Sequence, residues 1–388
     1  MINPTLPPAV ALVPGFFGFD HHGETTYFAD RFVAGLRSVL EARGLPGVPV
    51  LSVSTLGIGS LAKRQVDLLT ELKALETPSG SGPRLGGPRA WHLIGHSTGG
   101  VDAALLLRDS PLTTGGGTVT FARSGWGDAT DLVNRIASVT TIAAPHFGTG
   151  LAESPLARFA AGHPSPAAVR DLALALLSVA RRGDLASRMR FAMSATPGLS
   201  KMPFFLTRMM LMNELAADLR PEVLSELSRR PVRQSAEGRV FSIATVAPRP
   251  RQDHSDKLFR QMWQWTNQGS RGAAGFETSL AARLDDLELR LPSQRSIVLP
   301  PVDPGDNDGV VTTQRQVLGE LIGVVVADHV DVLGRYRRAS LVDDKVIDPG
   351  LLTSGATFGD DEFFGLLLRV GERVADAERD RCDPRTRG

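Results

Sequence analysis

The segment Gly95-His96-Ser97-Thr98-Gly99, with Gly100 after it, sets a serine between glycines two positions to either side. A serine hydroxyl is a poor nucleophile near neutral pH. It needs a base to take its proton, and the base needs a carboxylate to orient it. Gly-x-Ser-x-Gly alone is a weak pattern, but here it directly follows the apolar run Trp91-His92-Leu93-Ile94 and opens a helix-like stretch. A tight strand-to-helix elbow requires small residues at those two flanking positions, which Gly95 and Gly99 supply. The elbow would expose Ser97 at the C-terminal edge of a sheet, on the positive end of a helix. A plain glycine-rich turn is the competing reading.

For this arrangement the chain order is serine, acid, histidine. Two histidines lie well beyond Ser97 and outside the helical middle of the chain, His254 and His329. His254 sits beside Arg251, Asp253 and Asp256 and reads as a solvated loop residue. His329 leaves the apolar run 321–327, where a base should stand, and is the expected base. The acid is sought in Gly305-Asp306-Asn307-Asp308-Gly309-Val310-Val311. Asp308 precedes the Gly-Val-Val turn and is preferred, although spacing does not separate it from Asp306. The turn could also only cap local backbone, leaving Asp328 or Asp331 to serve His329. Those two are disfavoured, because one or two residues from the base is poor geometry for Nδ1.

The reaction also needs donors for an oxyanion. One is the backbone N–H of Thr98, just after the nucleophile. The other is the N–H of Phe16, in the glycine-punctuated loop Pro14-Gly15-Phe16-Phe17-Gly18. The neighbouring pair His21-His22 directs its side chains to opposite sides, so no metal site is expected there.

These residues need a scaffold, and the first third of the chain alternates strand-like and helix-like runs. Strands are expected at 9–13, 48–56, 90–94 and 136–143, and helices at 24–44, 61–75 and 99–108. That alternation predicts an α/β fold with a mainly parallel sheet flanked by helices. Residues 151–235 turn helical and carry Met189, Met193, Met202, Met209, Met210 and Met212 among phenylalanines. This is either a small helical core filled by methionine or a cap over an apolar ligand. Strand character returns at 239–246, 296–299 and 321–327. The polar stretch 248–292 reads as surface decoration, 360–377 as a terminal helix, and 378–388 as a frayed charged tail.

Composition sets further bounds. Hydrophobic residues are 42% and charged residues 22% of the 388, enough apolar material for a large core. Lys plus Arg number 43 against 42 Asp plus Glu, which gives no case for a nucleic-acid partner or a polybasic membrane anchor. The single cysteine, Cys382, allows neither an internal disulfide nor a Cys-based zinc site. No Lys or Arg precedes Arg31, so no secretory signal is evident and a cytoplasmic location is expected. No run approaches the roughly 18 apolar residues of a membrane span.

Together the ordered stretches resemble the α/β-hydrolase superfamily, and within it the bacterial triacylglycerol lipases and esterases. The resemblance rests on Leu12-Val13-Pro14-Gly15-Phe16-Phe17-Gly18, Gly95-His96-Ser97-Thr98-Gly99-Gly100, Thr140-Thr141-Ile142-Ala143-Ala144-Pro145-His146-Phe147-Gly148-Thr149, Asp306-Asn307-Asp308-Gly309 and His329-Val330-Asp331. It covers about 8–150 and 239–335. It implies an α/β-hydrolase core of 1–150 and 236–388, with 151–235 as a helical cap or lid. It also implies Asp308 as the acid and an apolar acyl ester as substrate. The family usually has His where Pro14 stands. Some members hold a structural calcium with an Asp two residues after the histidine, the place of Asp331, although no other ligand can be assigned. No organic cofactor is expected. The expected activity is ester hydrolysis through Ser97, Asp308 and His329. An acyltransferase or thioesterase would use the same three groups, and a non-catalytic binding protein is the rival of another class.

Overall fold

A computed structural model describes residues 6–16, 21–22, 25–57, 59–76, 87–109, 129–154, 213–233, 238–255, 257–270, 288–290, 296–298, 302–303, 305–339, 346–349 and 352–382. Six strands form the central sheet: β1 (Ala9–Val13), β2 (Val50–Ser52), β3 (Trp91–His96), β4 (Ile136–Ile142), β5 (Val240–Val246) and β6 (Glu320–Val326). Their spatial order is β6-β5-β4-β3-β1-β2, and every neighbouring pair is parallel. The described helices are α1 (Asp30–Ala42), α2 (Leu61–Glu76), α3 (Thr98–Leu105), α4 (Thr130–Asn134), α5 (Asn213–Asp218), α6 (Pro221–Arg229), α7 (Lys257–Ser270) and α8 (Asp360–Cys382).

The continuous apolar strand β1 is buried throughout, as a strand covered on both faces must be. Its side chains alternate. Val10 and Leu12 join a core with Phe32, Leu36 and Leu40 of α1 and Phe363, Leu366 and Val370 of α8. Ala9, Ala11 and Val13 face the other layer, with Leu68 and Leu72 of α2, Ala103 of α3 and Leu132 of α4. The chain runs outward from β1 to β2, then crosses back to β3 and on to β6. The direction of winding therefore reverses between β1 and β3. In such sheets the crevice beyond the strand C-termini at that reversal is the usual ligand site. The loop 14–16 and Ser97 both leave the sheet there.

Several elements differ from the sequence expectation. Helix α1 starts at Asp30 instead of residue 24, because Thr25–Thr26 pairs antiparallel with His21–His22. Strand β2 stops at Ser52, and the chain then bends so that the Leu56 carbonyl meets Arg64. Ser296–Val298 is no strand of the main sheet. It pairs antiparallel with Glu288–Arg290. Helix α8 continues past residue 377 to Cys382, because Glu378 is buried against Arg89 and His92. The segment 248–292 is not only decoration, since α7 buries Phe259, Trp265 and Thr266.

Within 151–235, helices α5 and α6 pack through Leu215, Leu224 and Leu227 against Leu61, Val101, Leu105 and Ala144. The six methionines expected in a cap lie outside the described residues. No helix among the described residues is long and apolar enough to cross a membrane.

Candidate active site

Strand β3 delivers Ser97 on a strained turn. Its backbone adopts φ 55° and ψ −132°, a region that costs a residue with a side chain on the order of 1–3 kcal/mol. The surrounding glycines are dictated by contact. A Cβ on Gly95 would lie 2.4 Å from the Gly99 carbonyl oxygen, and one on Gly99 would lie 2.3 Å from that of Val13. The Ser97 N–H donates to the Ile142 carbonyl at 2.9 Å, which ties the elbow to β4. Ser97 then caps the N-terminus of α3, where the first N–H groups have no acceptor within the helix.

Strand β6 delivers His329 from the opposite side. Its Nε2 lies 2.9 Å from Ser97 Oγ, and its Nδ1 lies 2.8 Å from Asp308 Oδ2. Both Ser97 and His329 are about 5% exposed and Asp308 is fully buried. The Asp308 carboxylate is held by four further donors. Oδ1 accepts the N–H groups of Val310 and Val311 at 2.9 and 2.7 Å. Oδ2 accepts Thr245 Oγ1 at 2.6 Å and Gln316 Nε2 at 3.3 Å. Such a set leaves the carboxylate one orientation.

The other candidate acids face elsewhere. Asp306 accepts Arg249 Nε at 3.1 Å and the N–H of Asp303 at 3.0 Å, on the outer side of the loop. Asp328 Oδ1 accepts the N–H groups of Val330 and Asp331, and Asp331 Oδ2 accepts the N–H of Asp328. These two carboxyls brace the turn that carries His329. Burial pushes the Asp328 carboxyl up to about 6, and burial with repulsion from Asp328 pushes Asp331 well up. Calcium needs six to eight oxygens, largely from ionised carboxylates. No group of three His, Cys, Asp or Glu residues suited to a metal occurs among the described residues.

The acid loop is buttressed by α7. Asn267 Nδ2 donates to the Gly305 carbonyl at 2.9 Å, Asn307 Nδ2 to that of Trp263 at 3.3 Å, and Thr266 Oγ1 to that of Gly309 at 3.2 Å. Gly309 has φ 97°, and a Cβ there would meet the Phe259 ring at 2.7 Å.

The loop 14–16 crosses directly over Ser97. A Cβ on Gly15 would fall 2.7 Å from Ser97 Cβ. The fully buried Arg64 pins this loop, with Nη2 donating to the Pro14 carbonyl at 3.1 Å and the Gly15 carbonyl at 3.3 Å. A trans peptide directs its N–H opposite to its C=O, so the Phe16 N–H points away from Arg64. Arg64 also binds Asp102 Oδ2 of α3, through Nε at 2.9 Å and Nη2 at 2.7 Å. The Phe16 loop and the helix that begins at Thr98 thus share one clamp.

Arg64, Thr245, Gln316 and Tyr27, whose Oη lies 2.8 Å from His96 Nδ1, were not among the sequence candidates. Arg64 left a trace: it lies on the same buried stripe of α2 as Leu61, Leu68 and Leu72, where a charge is unexpected. The other three lack a motif.

No protein-family model matches the sequence, and no curated protein sequence matches it significantly. Solved structures do. Lipase 1 from Pelosinus fermentans superposes with a TM-score of 0.51 at 16% identity, covering 96% of this chain and 99% of that one. The chain has the α/β-hydrolase fold. Two further solved structures match with lower TM-scores, EstA from Clostridium botulinum and the Staphylococcus hyicus lipase. EstA gives a TM-score of 0.47 at 16% identity, over 95% of this chain and 89% of that one. The S. hyicus lipase gives 0.46 at 15%, over 99% and 100%. In the α/β-hydrolase fold described here, the loops after β1, β3 and β6 converge on Ser97.

Proposed function

We propose that this α/β-hydrolase is a serine hydrolase of carboxylic esters, lipase- or esterase-like, acting on apolar acyl esters. The observation that carries the reading is the continuous contact from Ser97 Oγ through His329 to Asp308, at 2.9 and 2.8 Å. His329 Nε2 takes the proton of Ser97 as Oγ attacks the ester carbonyl. Asp308 at Nδ1 holds the tautomer with a free Nε2 lone pair and stabilises the imidazolium that forms. The N–H groups of Phe16 and Thr98 receive the oxyanion. His329 then protonates the leaving alcohol, and water enters by the same route to release the acid.

The greasy segment bearing Met189 to Met212 is assigned to acyl recognition as a cap, on composition. The test is hydrolysis of p-nitrophenyl esters from acetate to palmitate by wild type and folded Ser97→Ala, with fluorophosphonate labelling of Ser97. Loss of both activity and labelling in the variant is expected. Activity that survives Ser97→Ala overturns the reading. Acyl transfer to an added alcohol in preference to water would reassign the enzyme as a transferase.

A further inference from the structure

Two buried side chains close to this site have no part in the chemistry just described. Tyr27 lies just ahead of α1, and His96 is the last residue of β3. Both are almost fully buried. Tyr27 Oη lies 2.8 Å from His96 Nδ1, and His96 Nε2 lies 2.7 Å from the main-chain carbonyl of His329. Tyr27 Oη also lies against the Gly15 backbone, where a Cβ would fall 2.7 Å from it.

The polarity of this chain is fixed at one end. A carbonyl can only accept, so His96 Nε2 carries the proton. Burial, reinforced by the charge His329 can carry, holds His96 well below the ordinary imidazole range, so the ring is neutral and Nδ1 has a bare lone pair. Tyr27 must then donate to Nδ1. Burial pushes its hydroxyl well above the ordinary value, so it keeps the proton that it donates.

We infer that Tyr27 and His96 are positioning residues that lock the Phe16 loop, the Ser97 elbow and the His329 loop into one register, through the hydrogen bonds from Tyr27 O–H to His96 Nδ1 and from His96 Nε2–H to the His329 carbonyl, and the packing of Tyr27 Oη against the Gly15 backbone. The inference rests on the serine-hydrolase reading for its kinetic consequence, but the chain itself can be observed without turnover. Its three anchor points are the three parts of the site that must hold still relative to one another. His96 is covalently next to Ser97. Gly15 precedes the Phe16 donor, and a Cβ built on it would lie 2.7 Å from both Tyr27 Oη and Ser97 Cβ. His329 is gripped by its backbone, so its ring stays free to face Ser97 and Asp308. The rings of His96 and His329 lie 4.8 Å apart. A cationic His96 would repel the imidazolium that forms at His329 during attack, whereas a neutral His96 holds the loop without that penalty.

Two measurements test this. The first is long-range nitrogen–proton NMR of histidine-labelled protein from pH 5 to 9. A neutral Nε2–H tautomer of His96 throughout is expected, assigned by its loss in His96→Gln. An Nδ1–H tautomer or a titrating His96 overturns the chain, whatever the protein catalyses. The second is ester turnover per active site, with sites counted by fluorophosphonate so that misfolded protein drops out.

Tyr27→Phe should lower kcat on the order of tenfold with KM within about twofold, as expected for misplaced reacting groups. His96→Gln keeps an amide donor for the His329 carbonyl and should retain clearly more kcat than His96→Leu. Unchanged kcat per site in Tyr27→Phe, or equal losses in the two His96 variants, would refute the positioning role. If wild type and Ser97→Ala are equally inert while the NMR chain is intact, the hydrolase reading has failed and the hydrogen-bonded chain has not.

Discussion

Asp308 grips His329 twice: its carboxylate takes Nδ1 at 2.8 Å and its main-chain carbonyl takes the His329 N–H at 3.0 Å. Side chain and backbone of His329 are therefore positioned by one residue. The ring cannot swing without breaking the first contact, and the loop cannot slide without breaking the second.

Asp308→Asn separates these two functions. The backbone contact remains, and the amide is nearly isosteric, so thermal stability should change little. An amide nitrogen facing Nδ1 favours the wrong histidine tautomer, which in serine hydrolases costs on the order of 10⁴ in kcat. Steady-state hydrolysis beside a thermal melt decides this. A variant that keeps more than about a tenth of wild-type kcat would remove Asp308 from the proposed mechanism.

The elbow glycines should be intolerant for a steric reason. In Gly95→Ala the new Cβ would sit 2.4 Å from the Gly99 carbonyl oxygen and 2.5 Å from Gly100 Cα, all backbone that cannot rotate away. Overpacking of this kind typically costs about 1–3 kcal/mol, and more where backbone must move. The expected outcome is a large fall in Tm or insoluble protein. Gly44→Ala is a fair control: its φ of 84° is also unfavourable to alanine, but a Cβ there meets nothing within 4 Å. Equal melting of the two variants would show that contact is not what matters at Gly95.

Why some of this could be read from the chain and some not follows from where the chemistry sits. Ser97 and His329 stand at the ends of apolar strand runs, and local patterning locates such runs. Asp308 was separated from Asp306 only by resemblance, because the choice depends on Thr245 and Gln316, which meet the carboxylate through the tertiary fold. Tyr27 acts across 69 residues on His96, a distance at which no periodicity reports. Helix α7 was hidden by its polar neighbours, although Phe259, Trp263 and Thr266 recur at helical spacing on the side that meets the Asp308 loop. Arg64 was hidden in plain view as a cation on an apolar stripe.

That cation yields a prediction in which stability and rate part company. Arg64 and Asp102 are both fully buried, at 2.7 Å, and Asp102 Oδ1 has no hydrogen-bond partner among the described residues. Arg64→Met strands a buried carboxylate, which typically costs about 3–5 kcal/mol. Removing the second charge as well, in Arg64→Met with Asp102→Leu, should restore most of the lost stability, because a buried ion pair is often no better than apolar packing. It should not restore kcat, since the Pro14 and Gly15 carbonyls still lack their anchor. Chemical denaturation and turnover of the single and double variants measure both. A double variant that recovers full kcat would show that the clamp on the Phe16 loop is dispensable.

At the other end of the sheet, Glu378 makes the protein's response to acid predictable. Burial alone would raise its carboxyl. The hydrogen bond and charge of His92, with Arg89 and Arg381, outweigh burial and bring it down from 4.5 to about 2. A lowered folded-state value means that the unfolded chain binds the proton more readily, so this group's contribution is present above pH 4.5 and is lost as pH falls through 2. The loss loosens α8, because Glu378 holds Arg89 at the sheet and His92 inside β3. Glu378→Gln should therefore be less stable than wild type near neutral pH, with a flatter decline of Tm between pH 4.5 and 2. Parallel decline of the two proteins across that window would show that Glu378 is not the group through which acid reaches the terminal helix.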